Sequence, residues 1–266
     1  MAQTIPTSSL QSGRITLGSV SRRRFVLSAA GVLIPASIKT SRPLSLASPA
    51  FVNGYATASG GGGSAPTFGA GATTAAANND FSEAFSTSGS NRLLLVMVGG
   101  WRSGGWNCSG ITYNGVAMTR WRKEDVSCEL FYLVAPATGS NTVSASFSLA
   151  PVDSIMTMAY FNGVNQSTPL RAGSSAGGTG GVSSGAWTAS SSISSATGDT
   201  VVIAYEWWRA FTVGAGQTSR ITGMVASNEV GGTIATADGA SSFTPTGTIN
   251  NAVGGIVWIG ASIQPV

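Results

Sequence analysis

The run Leu93-Leu94-Leu95-Val96-Met97-Val98 is apolar at every position. A half-buried strand alternates and an amphipathic helix keeps a polar stripe, so a short run with neither reads as a central strand covered on both faces. The N-terminal segment and a neighbouring subunit are the candidates to cover its outer face. Around it, Asn91 to Val164 reads as five strand or hairpin segments with their turns: Arg92 to Val98, a hairpin over Ile111 to Arg122, Glu129 to Ala135, Thr142 to Leu149 and Ile155 to Phe161. In the hairpin, Asn114-Gly115 separates two strand-forming runs, and both residue types accept the positive φ of a type I′ turn. Val143, Ala145, Phe147 and Leu149 alternate with Ser144, Ser146 and Ser148, the pattern of a strand with one buried and one wet face.

Beyond a Gly/Ser loop at Gly173 to Gly185, further strands are expected from Trp187 to Ile193, from Asp199 to Trp208, near Ser219 to Val225 and Gly232 to Ala237, and at Ile256 to Ile263. Nine or ten strands with turn signals between them, and no helix-period segment, predict an all-β fold: an antiparallel β-sandwich of jelly-roll type. No internal repeat is evident. Only 9% of residues are charged while 36 are Gly and 42% are apolar, which suits a turn-rich β protein outside the cytoplasm better than a disordered chain.

Residues 1–50 carry six basic side chains and no acid, so of the total net charge of +4 the remainder holds −2. Once that segment is removed no basic footprint for phosphate backbones remains, and nucleic acid is not an expected partner. Within it, Ser21-Arg22-Arg23-Arg24-Phe25-Val26-Leu27 is similar to the twin-arginine export signal, with Arg22, Arg23 and Phe25 at its defining positions and Leu27 where Lys is usual. The apolar run Phe25 to Ile34 is too short and too interrupted to be a stable membrane anchor, and no Cys is near to carry a lipid. The resemblance implies export to the periplasm or beyond, with the twin-arginine translocase as a transient partner; the plain alternative is a basic tail with a chance apolar patch. The expected division is a signal segment over 1–50, a linker over 51–72 marked by Ser59-Gly60-Gly61-Gly62-Gly63-Ser64, and a β-sandwich domain over 73–266 whose first large apolar residues are Phe81 and Phe85.

Asn91-Arg92-Leu93-Leu94-Leu95-Val96, Tyr113-Asn114-Gly115-Val116-Ala117-Met118-Thr119, Glu129-Leu130-Phe131-Tyr132-Leu133-Val134-Ala135-Pro136 and Phe161-Asn162-Gly163-Val164-Asn165-Gln166-Ser167-Thr168-Pro169 together resemble poorly characterised β-sandwich domains of bacterial secreted proteins and phage appendages. The resemblance covers about residues 80–266. It implies a fold and brings no catalytic residues with it.

The chain has no histidine, which removes a Ser-His-Asp triad, a Cys-His pair and the commonest transition-metal ligand together. Gly173-Ser174-Ser175-Ala176-Gly177 matches the nucleophile-elbow string but sits in a Gly/Ser loop with no base. No cofactor and no metal are expected. Cys108 and Cys128 flank the hairpin, and two readings stay open: a disulfide, or two small buried thiols that never meet. Glu129, beside Cys128, and Glu206, between Tyr205 and Trp207, are the carboxylates that a glycan hydrolase would need to pair; the alternative is that both project from a solvent face. Trp101-Arg102-Ser103-Gly104-Gly105-Trp106-Asn107 sets two indoles in a Gly-rich loop, and Trp207-Trp208-Arg209 ends a strand. An indole gives contact area and a hydrogen bond together, so Trp101, Arg102, Trp106, Asn107, Trp207 and Trp208 are the candidate ligand-binding residues, for a polysaccharide or another surface. The expected function is an exported, non-catalytic binding or adhesion module. The alternatives are a structural subunit of a surface or phage-like assembly, as a homo-oligomer, and a glycan hydrolase.

Overall fold

The computed structural model describes residues 63–77, 79–125, 127–181, 184–225, 229–250 and 255–266, all within one compact unit, Thr57–Val266. The segment with Arg22, Arg23 and Phe25 lies outside the described residues. Among the described residues there is no helix, and every sheet is antiparallel. The first half of the unit holds β1 (Thr67–Ala76), β2 (Phe81–Thr87), β3 (Leu93–Trp101), β4 (Asn107–Tyr113), β5 (Val116–Ala117), β6 (Thr119–Glu124), β7 (Cys128–Val134), β8 (Gly139–Leu149) and β9 (Asp153–Asn162). The second holds β10 (Ala176–Gly180), β11 (Gly185–Thr188), β12 (Ile193–Ser194), β13 (Thr200–Trp208), β14 (Phe211–Val213), β15 (Thr218–Met224), β16 (Val230–Asp238), β17 (Ser242–Phe243), β18 (Thr246–Ile249) and β19 (Ile256–Ile263).

In the first half a five-stranded sheet, β1-β9-β3-β7-β6, is covered on one face by β2-β8-β4-β5. Leu94, Val96 and Val98 meet Phe81, Ile111, Tyr113 and Val143 between those layers. In the second half the sheet β10-β19-β13-β16-β15 is covered by the short strands β11-β18-β14 and β12-β17, over Val201, Ile203, Tyr205, Trp187 and Trp258. The free faces of the two five-stranded sheets then pack on each other, Leu93, Leu95, Met97 and Phe161 against Val202, Ala204, Ile234 and Ile263. Four β layers result, which is sheet-on-sheet packing applied three times. Leu93 to Val98 is thus buried on both faces, odd positions in the central interface and even positions in the outer one. At about 2 kcal/mol for each fully buried aliphatic side chain, that strand alone anchors two cores. Its second face is covered by the later part of the same chain, not by the N-terminal segment or a neighbouring subunit.

The two halves share one connectivity, which the sequence did not reveal. In each, the first strand pairs with the last, the last with a nine-residue central strand, and the central strand with one arm of a hairpin whose other arm forms the sheet edge. Both edge strands carry a register shift at the matching point, between Arg120 and Arg122 in β6 and between Ser219 and Ile221 in β15. Contacts across the interface are reciprocal: β9 meets β16 and β19 meets β7, while β1 meets β15 and β10 meets β6. That reciprocity is the mark of an isologous, two-fold arrangement, here within one chain.

Ordered structure starts earlier than the linker boundary predicts, because β1 crosses it and Phe68 packs on the central core. The strand escapes notice because its residues are small, and they are small because the other half lies close. A Cβ on Gly71 would stand 2.9 Å from the Met158 carbonyl and 3.2 Å from Ile221 Cβ. The expected Asn114-Gly115 turn is present, with φ of 50° and 73°, but the hairpin it closes is shorter than Ile111 to Arg122: its return arm is only β5, and from Thr119 the chain crosses to the other sheet as β6 and pairs with β7. The strand expected over Trp187 to Ile193 is instead two, β11 and β12.

Candidate functional site

The central strands β3 and β13 finish together at one end of the interface, each with the dipeptide Trp-Arg: Trp101-Arg102 and Trp208-Arg209. Gly99 permits the approach, since a Cβ there would lie 2.6 Å from Cγ of Glu206. Two positions on, Trp101 and Trp208 meet edge to face with ring centroids 6.4 Å apart. A pocket of about 710 Å³ opens beside this pair, walled by Trp101, Trp208, Arg102, Asp125 and Glu206 and floored by the backbone of Gly100, Gly180, Gly181 and Gly255. Its volume is that of a small-molecule site, and its glycines let a ligand approach the main chain.

Glu206 is 1% exposed and has no ion-pair partner among the described residues. Burial pushes its carboxyl up to about 8; the hydrogen bond that Trp208 Nε1 donates to Oε1 at 3.0 Å opposes the shift and the charge of Asp125 adds to it. At neutral pH the group is therefore a protonated carboxyl, able to donate as well as accept. Cys128 lies opposite Gly99 in the ladder, and burial, with the nearby carboxylates of Glu206, Glu129 and Glu124, holds its thiol well above the ordinary range.

The six expected binding residues divide. Trp101, 41% exposed, lines the pocket with Trp208 and with Arg102, whose Nη1 donates to the Ala150 carbonyl at 2.7 Å. Trp106 is a core residue, its Nε1 donating to the Gly100 carbonyl at 2.9 Å. Trp207 is buried against Gly231 and donates to Thr233 Oγ1 at 3.1 Å. Asn107 is exposed on β4, where Nδ2 donates to Ser148 Oγ at 3.0 Å. The Gly-rich loop expected to display two indoles shows one and buries the other, because Trp106 finds Phe147 and a backbone acceptor within the outer layer.

Glu129 and Glu206 do not pair across a cleft, and neither projects to solvent. Glu129 is fully buried on the opposite face of the first large sheet, with Arg120 Nε at 2.8 Å and Lys123 Nζ at 3.1 Å. Those two cations lie over the rings of Phe131 and Trp106 in the outer core. The cysteines also sit on opposite faces of that sheet, Cys108 in the outer core and Cys128 in the central one, and both are free thiols. Ser174 of the elbow-like string is fully buried, its Oγ accepting from the Ser262 amide at 3.1 Å, so it is a structural bond and not a nucleophile. Among the described residues no three of His, Cys, Asp and Glu gather to hold a metal, and no helix is long and apolar enough to cross a membrane.

Asp125, Ser127 and Thr179 are the polar pocket residues that sequence reasoning missed, and Asp125 is the charged one among them. It lies in the turn after β6 with φ 52°, and only the stacking of the two halves brings that turn to the end of β13. Comparison of the chain with protein-family models, with curated proteins and with solved structures returned no match.

Proposed function

We propose that this chain is an exported binding module that holds a saccharide in the pocket between the ends of β3 and β13. The observation that carries the reading is the exposed indole of Trp101 standing beside a protonated carboxyl, Glu206, and a guanidinium, Arg102, around a pocket of about 710 Å³. An indole offers a flat apolar face to a sugar ring, while the carboxyl, the guanidinium and free backbone groups answer its hydroxyls. Export by the twin-arginine route is part of the proposal and rests on Ser21 to Leu27. The strand order β1-β9-β3-β7 over β2-β8-β4-β5 supports reading each half as a jelly roll. A glycan array probed with the wild-type protein and with Trp101→Ala tests the binding reading. Discrete hits that the variant loses support it; an array with no hits, or hits that the variant keeps, would overturn it.

One observation favours a second reading, a glycan hydrolase. Asp125 and Glu206 line the same pocket, and a carboxyl raised to about 8 has the protonation state of a general acid. Release of reducing ends from array-positive glycans, abolished in Glu206→Gln, would favour hydrolysis over binding alone.

A further inference from the structure

A second cavity, of about 240 Å³, adjoins the first at the tryptophan pair and is lined by Trp101, Trp208, Arg209, Glu229 and Val230. It shares both indoles with the larger pocket, so the aromatic pair is a partition between two adjoining lobes. The lobes are built from matching parts of the two halves. Arg102 follows β3 in one and Arg209 follows β13 in the other; Asp125 comes from the β6–β7 connection and Glu229 from the β15–β16 connection. Arg209 is held at φ 73°, a conformation that costs a non-glycine residue energy, and its guanidinium reaches Glu229 only at 3.9 Å, with both side chains about half exposed. That arrangement leaves both charged groups available at the rim, where the ion pair itself adds little. The smaller lobe falls below the range of pockets that enclose a whole small molecule, about 300–1,000 Å³, but it can take an extension of one.

We infer that the two lobes form one continuous site for a linear glycan: a chain of sugar units seated in the larger lobe crosses the exposed indole of Trp101 and places its next unit against Arg209 and Glu229. This rests on the saccharide reading of the larger pocket and adds that the ligand is a polymer segment, not a single terminal sugar. A linear chain suits two lobes that share an aromatic divider, since each successive ring meets an indole, a guanidinium and a carboxylate. The two-fold relation between the halves supplies that repeated set.

The test measures affinity by calorimetry for cello-oligosaccharides and chito-oligosaccharides from monomer to hexamer, with the wild type, Trp101→Ala and the double variant Arg209→Ala/Glu229→Ala. Both rim side chains are exposed enough for the double variant to fold, and a melting curve checks it. The expected result is that wild-type affinity rises at least about tenfold, equivalent to ~1.4 kcal/mol, between the shortest bound oligomer and the hexamer. The double variant should bind the short oligomer like the wild type and lose that gain. Equal wild-type affinity for short and long oligomers, or a double variant that keeps the gain, would overturn the two-lobe site; loss of binding in Trp101→Ala would then leave the larger pocket's assignment standing. No binding of any oligomer in either series would overturn the linear-glycan inference, while the glycan array decides the saccharide reading of the larger pocket by itself.

Discussion

Trp101 and Trp208 stand at matching positions, each the last residue of its half's central strand, and their rings meet edge to face across the interface between the halves. Each indole is thus part of the other's wall, and a site appears where neither half alone has one. The glycine two residues before Trp101 matches Glu206, two residues before Trp208. The pair is asymmetric in size because it must be: one side chain fills the space that two would contest.

Gly99→Ala should therefore destabilise the fold by about 1–3 kcal/mol, the usual cost of overpacking a tight contact. The added carbon meets Cβ and Cγ of Glu206, atoms too near the main chain to swing away freely. Chemical denaturation measures the loss, and an unchanged midpoint would mean that the halves are not held this close.

Glu206 should make stability fall with pH. Its folded-state value, about 8, lies above that of an unfolded glutamate, about 4.3, so the folded protein keeps a proton that the unfolded chain has released. The contribution is fully present below about pH 4 and is lost as pH rises through about 8. Between about pH 5 and pH 9 the wild type should lose stability relative to Glu206→Gln, by on the order of a few kcal/mol. Parallel stability curves for the two proteins would show Glu206 to be ionised in the folded state.

Asp199 has the opposite sign. Burial works to raise its carboxyl, but the paired hydrogen bonds from Arg171, with those from Ser262 Oγ at 2.7 Å and the Ala196 amide at 3.0 Å, hold it below the usual carboxylate range. Its contribution is present above the unfolded value of about 3.9 and is lost as pH falls through the lower folded value. Asp199→Asn should cost about 1–2 kcal/mol at neutral pH by weakening the charge-assisted hydrogen bonds to Arg171, whose partly exposed guanidinium water can still solvate. The variant should also show a weaker acid-induced loss of stability, and unfolding curves at neutral and acidic pH check both.

Cys108 and Cys128 should resist thiol reagents in the native protein. Burial, with the charge of Glu129, pushes the Cys108 thiol up to about 12, and Cys128 is fully buried. Both should label fully in denaturant and hardly at all without it, and a reductant should leave the melting temperature unchanged. A reductant-sensitive melting temperature would mean that the two are bridged.

The strands were legible where the physics is local. Two-sided burial of β3 follows from six successive apolar residues, and the Asn114-Gly115 turn follows from the positive φ that these two residue types adopt at least cost. The duplication was not legible, because packing fixes the size and polarity of buried residues and leaves their identity free. Leu94-Leu95-Val96 and Val201-Val202-Ile203 fill corresponding places with different side chains, and only Trp-Arg repeats at the strand ends. The site was half legible for the same reason. Trp101, Arg102 and Trp208 could be picked out as polar-tipped side chains at strand ends, whereas their union with Asp125 and Glu206 depends on how the second half docks on the first.

The proposed function requires Trp101 and Glu206 to belong to one saccharide site at that docking surface. Calorimetric titration of the best glycan from the array into the wild type and into Trp101→Ala tests it most directly. The expected affinity is at least about tenfold weaker in the variant, or ~1.4 kcal/mol, while the variant still unfolds cooperatively; equal affinities in the two proteins would rule the site out.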